Sequence, residues 1–131
     1  MKFSKKLIPK IILIFTIFLS PSSLFASQVE LKPCIQIDHC VREEWDVKNI
    51  EKPFDEIKTI IENTPRTEIV DFNGDYLHAE ATSKWMKYVD DIEISYSPGL
   101  KILIIRSESR VGASDLGVNR KRVDLIKSQM F

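Results

Sequence analysis

The alternation of apolar and polar residues changes period several times along the chain. Phe54, Ile57, Ile60 and Ile61 fall on one face of a helix that starts at Pro53 and runs to about Asn63. Pro65 ends it, because the residue before a proline disfavours helical backbone. Trp45–Ile50 alternates over a short extended segment, Thr67–Phe72 is rich in β-formers, and Tyr76–Ala81 alternates again. Asn73-Gly74 between the last two is a hairpin signal in which both central residues need positive φ. Asp91–Ser97 sends Ile92, Ile94 and Tyr96 one way and Glu93, Ser95 and Ser97 the other. Pro98-Gly99 is a turn pair, and Leu100–Ser107 is the returning strand. Ile102–Ile105 is apolar on both parities, which predicts a central strand covered on both faces. A final helix is expected from an N-cap at Ser114 or Asp115 to the C-terminus, with Leu116, Val123, Ile126 and Met130 as its stripe. The sum is an α+β single domain: a mostly antiparallel sheet of about four to five strands with two packed helices. Lys84–Val89 has no clear period. Its Trp85, Met86 and Tyr88 are read as core over the sheet, or, if exposed, as a partner-binding patch.

The first 26 residues follow a different logic. Lys2, Lys5, Lys6 and Lys10 precede an apolar run, Ile11–Leu19, broken only by Thr16, and Leu24-Phe25-Ala26 ends on a small residue. This is the pattern of a cleaved signal peptide over 1–26, leaving 27–131 as the domain. The apolar run is shorter than the ~20 residues of a spanning helix, so no stable membrane span is expected after cleavage. Export to the periplasm, or to a thylakoid lumen in a photosynthetic source, follows. Leu31-Lys32-Pro33-Cys34 lacks the small residues of a lipobox.

The 131-residue chain carries 19 basic and 19 acidic residues. The first 26 residues hold four of the basic ones and none of the acidic, so residues 27–131 have 15 against 19, a net charge of −4. That argues against nucleic acid and against general binding to anionic membranes, while leaving room for a local basic site.

Both cysteines, Cys34 and Cys40, lie beyond the leader with five residues between them. In an oxidising compartment a disulfide is the first reading. Free or redox-active thiols, and a metal site including the adjacent His39, are the alternatives; two thiols and one imidazole are one ligand short of a closed zinc site.

A family resemblance rests on four blocks: Tyr76-Leu77-His78-Ala79-Glu80, Tyr88-Val89-Asp90-Asp91-Ile92-Glu93, Arg106-Ser107-Glu108-Ser109-Arg110-Val111-Gly112 and Ser114-Asp115-Leu116-Gly117-Val118-Asn119-Arg120-Lys121-Arg122-Val123. Together they resemble the family catalogued as domain of unknown function 1499, across essentially the whole of 27–131 including the two cysteines. Three departures stand out: Glu108 within the third block, Ala113 where an aromatic is expected after Gly112, and Arg42-Glu43 where serines are expected. The resemblance implies proteins outside the cytoplasm or in photosynthetic organelles, and no assigned activity.

The arginine-rich end of the chain offers the most specific chemistry. Arg106 sits at the end of a buried strand and Arg110 in the loop after it, Gly112 and Gly117 permit backbone geometries other residues resist, and Arg120 stands in the first turns of the last helix. A helix N-terminus with arginine forks can hold an anion. The candidate ligand-binding set is Arg106, Arg110, Gly112, Ser114, Asp115, Asn119 and Arg120, for an anionic small molecule or a carboxylate of a protein partner. The plainer reading is a structural network with Asp90, Asp91, Glu93 and Asp115, in which Arg120 and Asp124 form an i,i+4 pair. The expected function is a non-enzymatic accessory or binding module, with no cofactor and no metal. A hydrolase built on His78, Asp90 and Ser109 is the runner-up, although no glycine-flanked elbow serine supports it. An assembly factor using Trp85–Tyr88 is the third reading. Two short helices leave part of the sheet uncovered, which a homodimer or an obligate partner would fill.

Overall fold

The structure, a computed structural model, describes residues 29–131. The expected signal peptide, 1–26, lies outside the described residues. The elements run β1 (Cys40–Asp46), α1 (Pro53–Glu62), β2 (Thr67–Asn73), β3 (Tyr76–Thr82), β4 (Val89–Ser97), β5 (Ile102–Ser109) and α2 (Val118–Met130). All five strands form one antiparallel sheet in the order β1-β5-β4-β3-β2. Strands β2 to β5 are a meander, and β1 returns to the far side of β5. The α+β expectation holds.

Both helices contribute to the core on one face of the sheet. Leu77, Ala79, Ile92, Ile94, Leu103 and Ile105 alternate onto that face and meet Ile57 and Ile61 of α1 and Val123 and Ile126 of α2. Phe54 of α1 stacks between Phe72 and Tyr96, at ring separations of 5.7 and 6.2 Å. The other face carries polar side chains. Near its middle, Ser95 Oγ donates to the carbonyl of Val29 at 2.6 Å, so the segment before β1 crosses this face, and Leu31 is buried. That is why Ile104 is buried although it points away from the helices.

Four local expectations are corrected. The first strand is Cys40–Asp46 rather than 45–50, because Val41, Glu43 and Trp45 share the inward parity and the glutamate breaks the apolar alternation. In the β2–β3 hairpin the two-residue loop is Gly74-Asp75; Asn73 pairs with Tyr76, and within the turn only Gly74 has positive φ, +54°. Helix α2 starts at Val118 after Gly117, whose φ is +80°. Leu116 therefore precedes the helix and is exposed, and Asn119 takes the fourth place on the buried face with Val123, Ile126 and Met130. Lys84–Val89 is no part of the core: residues 83–88 form the β3–β4 loop, and Trp85 is 82% exposed.

Cys34 and Cys40 form a disulfide with a Cα separation of 5.5 Å. It closes a small loop immediately before β1 and rules out a metal site on the two thiols. Such a loop loses little chain entropy when reduced, so reduction should lower the stability of residues 27–131 by about 2 kcal/mol without unfolding them. Urea unfolding with and without reductant measures this.

Candidate functional site

The candidate residues divide between the two faces of the sheet. On the helix face, Asn119 is fully buried in the first turn of α2. Its amide nitrogen donates to the His39 carbonyl at 3.1 Å, to Ser109 Oγ at 2.8 Å and to Asp115 Oδ2 at 2.7 Å. Its amide oxygen accepts from Ser107 Oγ and Arg122, both at 2.6 Å. Arg122 continues to Asp90 at 2.7 Å, and both members of that pair are largely buried. The arginine that matters to the fold is thus Arg122, outside the expected ligand set.

Asp115 caps α2 from three residues before its first residue, Val118. Its carboxylate accepts the backbone N–H of Gly117 at 2.8 Å and of Asn119 at 2.9 Å. Burial alone would raise its pKa; the hydrogen bonds from Asn119 and Gly117 outweigh that and hold it below the usual range. The helix N-terminus already has its anion, supplied by the chain. Ser114 and Gly112, with φ +91°, lie in the adjoining loop.

On the opposite face, neighbouring strands carry opposite charges. Arg106 donates to Glu93 at 3.1 Å and also bonds Glu108. Arg110 holds Asp91 with two bonds, at 2.8 and 2.9 Å, and reaches Glu80 as well. His78 meets the same aspartate at 2.8 Å. The Arg110 guanidinium, helped by His78, keeps the Asp91 carboxyl below its usual pKa. Donor atoms of His78, Glu80 and Asp91 lie within 4.8 Å of one another, a set with metal-ligand chemistry, but Arg110 already brings its positive charge to both carboxylates. Arg120 is exposed on α2 and pairs with Glu43 and, at 3.4 Å, with Asp124.

The expected anion cradle is therefore not assembled. Arg106 is across the sheet from Asn119, and Arg106, Arg110 and Arg120 each pair with at least two carboxylates. The His78–Asp90–Ser109 triad is separated too: Asp90 and Ser109 face the helices, and His78 faces away. Asp90 and Asp91, adjacent in β4, point to opposite faces of the sheet.

What the structure does gather is apolar. Val111, Gly112, Ser114, Asp115, Leu116 and Val118 line a cleft of about 510 Å³ together with Ser83 and Tyr88 of the β3–β4 loop. The disulfide loop abuts the same end of the sheet, where Asp38 O accepts from Asp115 N at 3.1 Å and Ile37 shares a second cleft with Ser114 and Gly117. Ile35 lines a third cleft with Ser109 and Arg110. Eight of the fourteen exposed large apolar side chains among the described residues lie in these three segments and the first residue of α2. Sequence reading missed Ile35, Ile37 and Val111. The available signal was two isoleucines inside a ring too small to bury them.

The sequence profile of the family described as "Protein of unknown function (DUF1499)" matches residues 25–130. A search of curated proteins finds no match to this chain.

Two predictions follow from the pairing pattern. Arg122→Met strands Asp90 in a buried position and should cost about 3 kcal/mol or more in urea unfolding, whereas Arg110→Gln, on an exposed side chain, should leave the midpoint close to wild type. The second concerns pH. The Trp45 indole, Arg120 and Lys127 lower the Glu43 pKa to about 2, against burial, so its stabilisation is complete above pH 4.5 and lost as pH falls toward 2. Burial and then Glu93 push Tyr76 up to about 12, so its contribution is complete below pH 10 and lost between 10 and 12. Tyr76→Phe should flatten the alkaline limb of a stability–pH curve and leave the acid limb in place.

Proposed function

We propose that this chain, which belongs to the DUF1499 family, is an exported, non-enzymatic docking module that works through the end of its sheet where the β3–β4 loop, the β5–α2 loop and the disulfide loop meet. The observation that carries this is the concentration of exposed apolar side chains at that end. Leu116 is 88% exposed and Trp85 82% exposed, in loops whose bases are fixed by hydrogen bonds. Large apolar side chains clustered in solvent mark a surface that is covered in use.

This reading keeps the expected accessory role within the Arg106–Arg122 region and moves its contact from the arginines to the loop residues between them. It also joins the Trp85–Tyr88 segment to the same surface. The basic n-region and apolar run of residues 1–26 support export, and a disulfide suits an oxidising compartment such as the periplasm or thylakoid lumen.

Two measurements test this. The exported protein should begin at Ser27 on N-terminal sequencing. A photo-crosslinking phenylalanine analogue placed at Leu116 or Trp85 in living cells should form specific adducts. The same probe at Leu100, exposed in the turn between β4 and β5 at the opposite end, should not. Equal labelling from both ends would remove the docking surface.

A further inference from the structure

We infer that the occupant of this docking end is the surface of an anionic lipid bilayer, into which the loop tips dip without spanning it; the inference rests on the docking reading above. The β3–β4 loop reads Ser83-Lys84-Trp85-Met86-Lys87-Tyr88. It places an indole and a thioether between two lysines, with a phenol directly after the second. Trp and Tyr favour the boundary between headgroups and acyl chains, because each has an apolar body and a polar tip. Lysines beside them reach back to the phosphates. Lys84 already leans over the Trp85 ring, its Nζ 5.0 Å from the centroid.

Charge complementarity favours lipid over an apolar protein groove. Arg66, joined to this end where its carbonyl accepts from Thr82 N at 2.8 Å, stands with Lys84 and Lys87. Among the described residues none of these three forms an ion pair, whereas Arg106, Arg110, Arg120 and Arg122 all do. Three cations outside any described ion pair thus stand beside the aromatic tip of the β3–β4 loop. The net charge of −4 over residues 27–131 does not oppose this, since charges more than about 10 Å from the membrane are screened at moderate salt.

The second apolar contribution comes from other loops. Leu116 projects from the β5–α2 loop, and Ile35 and Ile37 from a ring closed by the disulfide. Each is held by a rigid base, so little order has to be imposed on binding.

Residues 27–131 contain every strand and helix among the described residues and the whole described core, so they serve as the test protein. They contain two tryptophans: Trp45, which is buried, and Trp85, which is exposed. A change in emission on adding vesicles therefore reports Trp85. Vesicles of equal parts phosphatidylglycerol and phosphatidylcholine should carry the protein in flotation and shift its fluorescence to the blue; phosphatidylcholine alone should do neither. Lys84→Gln with Lys87→Gln should weaken binding about 30-fold, from roughly fivefold per lysine at an anionic surface. High salt should have the same direction of effect. Trp85→Ala should abolish the shift and weaken flotation while circular dichroism stays unchanged. No binding to the anionic vesicles, or binding indifferent to Trp85 and to both lysines, would overturn the inference. If the Leu116 probe then labels a defined protein in cells, the docking surface stands with a protein as its occupant; if it labels nothing beyond the Leu100 control, both readings fall.

Discussion

Asn119 is an amide buried among hydroxyls, and the arrangement of one end of the molecule depends on it. Its single side chain bonds the residue before β1, the end of β5 and the Asp115 cap of α2, and it accepts from the arginine that neutralises Asp90. Each bond alone contributes about 1 kcal/mol, but leaving a buried partner unsatisfied costs more than making the bond gains. The network is therefore all or nothing, and such networks fix geometry as well as stability. The loop between β5 and α2 is pinned at both its ends by this one cluster, which is why a segment with Gly112, Gly117 and a left-handed Leu116 (φ +54°) takes one path.

The same cluster explains why an arginine-rich sequence yields no free anion cradle. Antiparallel register brings Glu93 opposite Arg106, and Asp91 opposite Glu108 with Arg110 just beyond the strand end. Short spacing along β5 places two arginines on the face away from the helices, within reach of acids from β3 and β4. On the helix face, Asp90 takes Arg122, Glu43 takes Arg120, and Asp115 takes the N-terminus of α2. The guanidinium groups of Arg106, Arg110, Arg120 and Arg122 are consumed by acids of the sheet and α2, whereas Lys84 and Lys87 of the β3–β4 loop form no ion pair among the described residues.

Period-two segments were legible in the sequence because β3, β4 and β5 expose one parity to the core and the other to a polar face. The doubly apolar run at Ile102–Ile105 correctly announced cover on both sides, although the cover on the second face is the chain before β1 rather than a helix. Strand β1 was misplaced because Glu43 occupies an inward position at the sheet edge, where Trp45, Arg120 and Lys127 all bond its carboxylate. A polar residue that is satisfied only by tertiary partners looks like a strand end when read locally. Asn119 was misread for the same reason. Its spacing of four, then three, then four to Val123, Ile126 and Met130 marked it as a core position, but its chemistry suggested a ligand contact. Leu116 was misread in reverse: an apolar residue counted into a helix that begins two residues later.

The stable parts and the exposed apolar parts of the molecule are arranged as base and tips. Hydrogen bonds from Ser109 and Asp115 to the carbonyls of His39 and Asp38 tie the disulfide loop to the β5–α2 loop. The β3–β4 loop is held by reciprocal contacts between Ser83 and Tyr88, whose backbone N–H donates to Ser83 Oγ at 2.9 Å while its carbonyl accepts from Ser83 N at 2.8 Å. A chain under no constraint but its own stability would turn Trp85, Leu116 and Ile35 inward, since each buried side chain of this size gains about 1.5–3 kcal/mol. Rigid bases make that collapse impossible. That burial is foregone at three separate loops on one end, above an Asn119 side chain whose amide nitrogen and oxygen are both bonded, is the arrangement on which the proposed docking end rests.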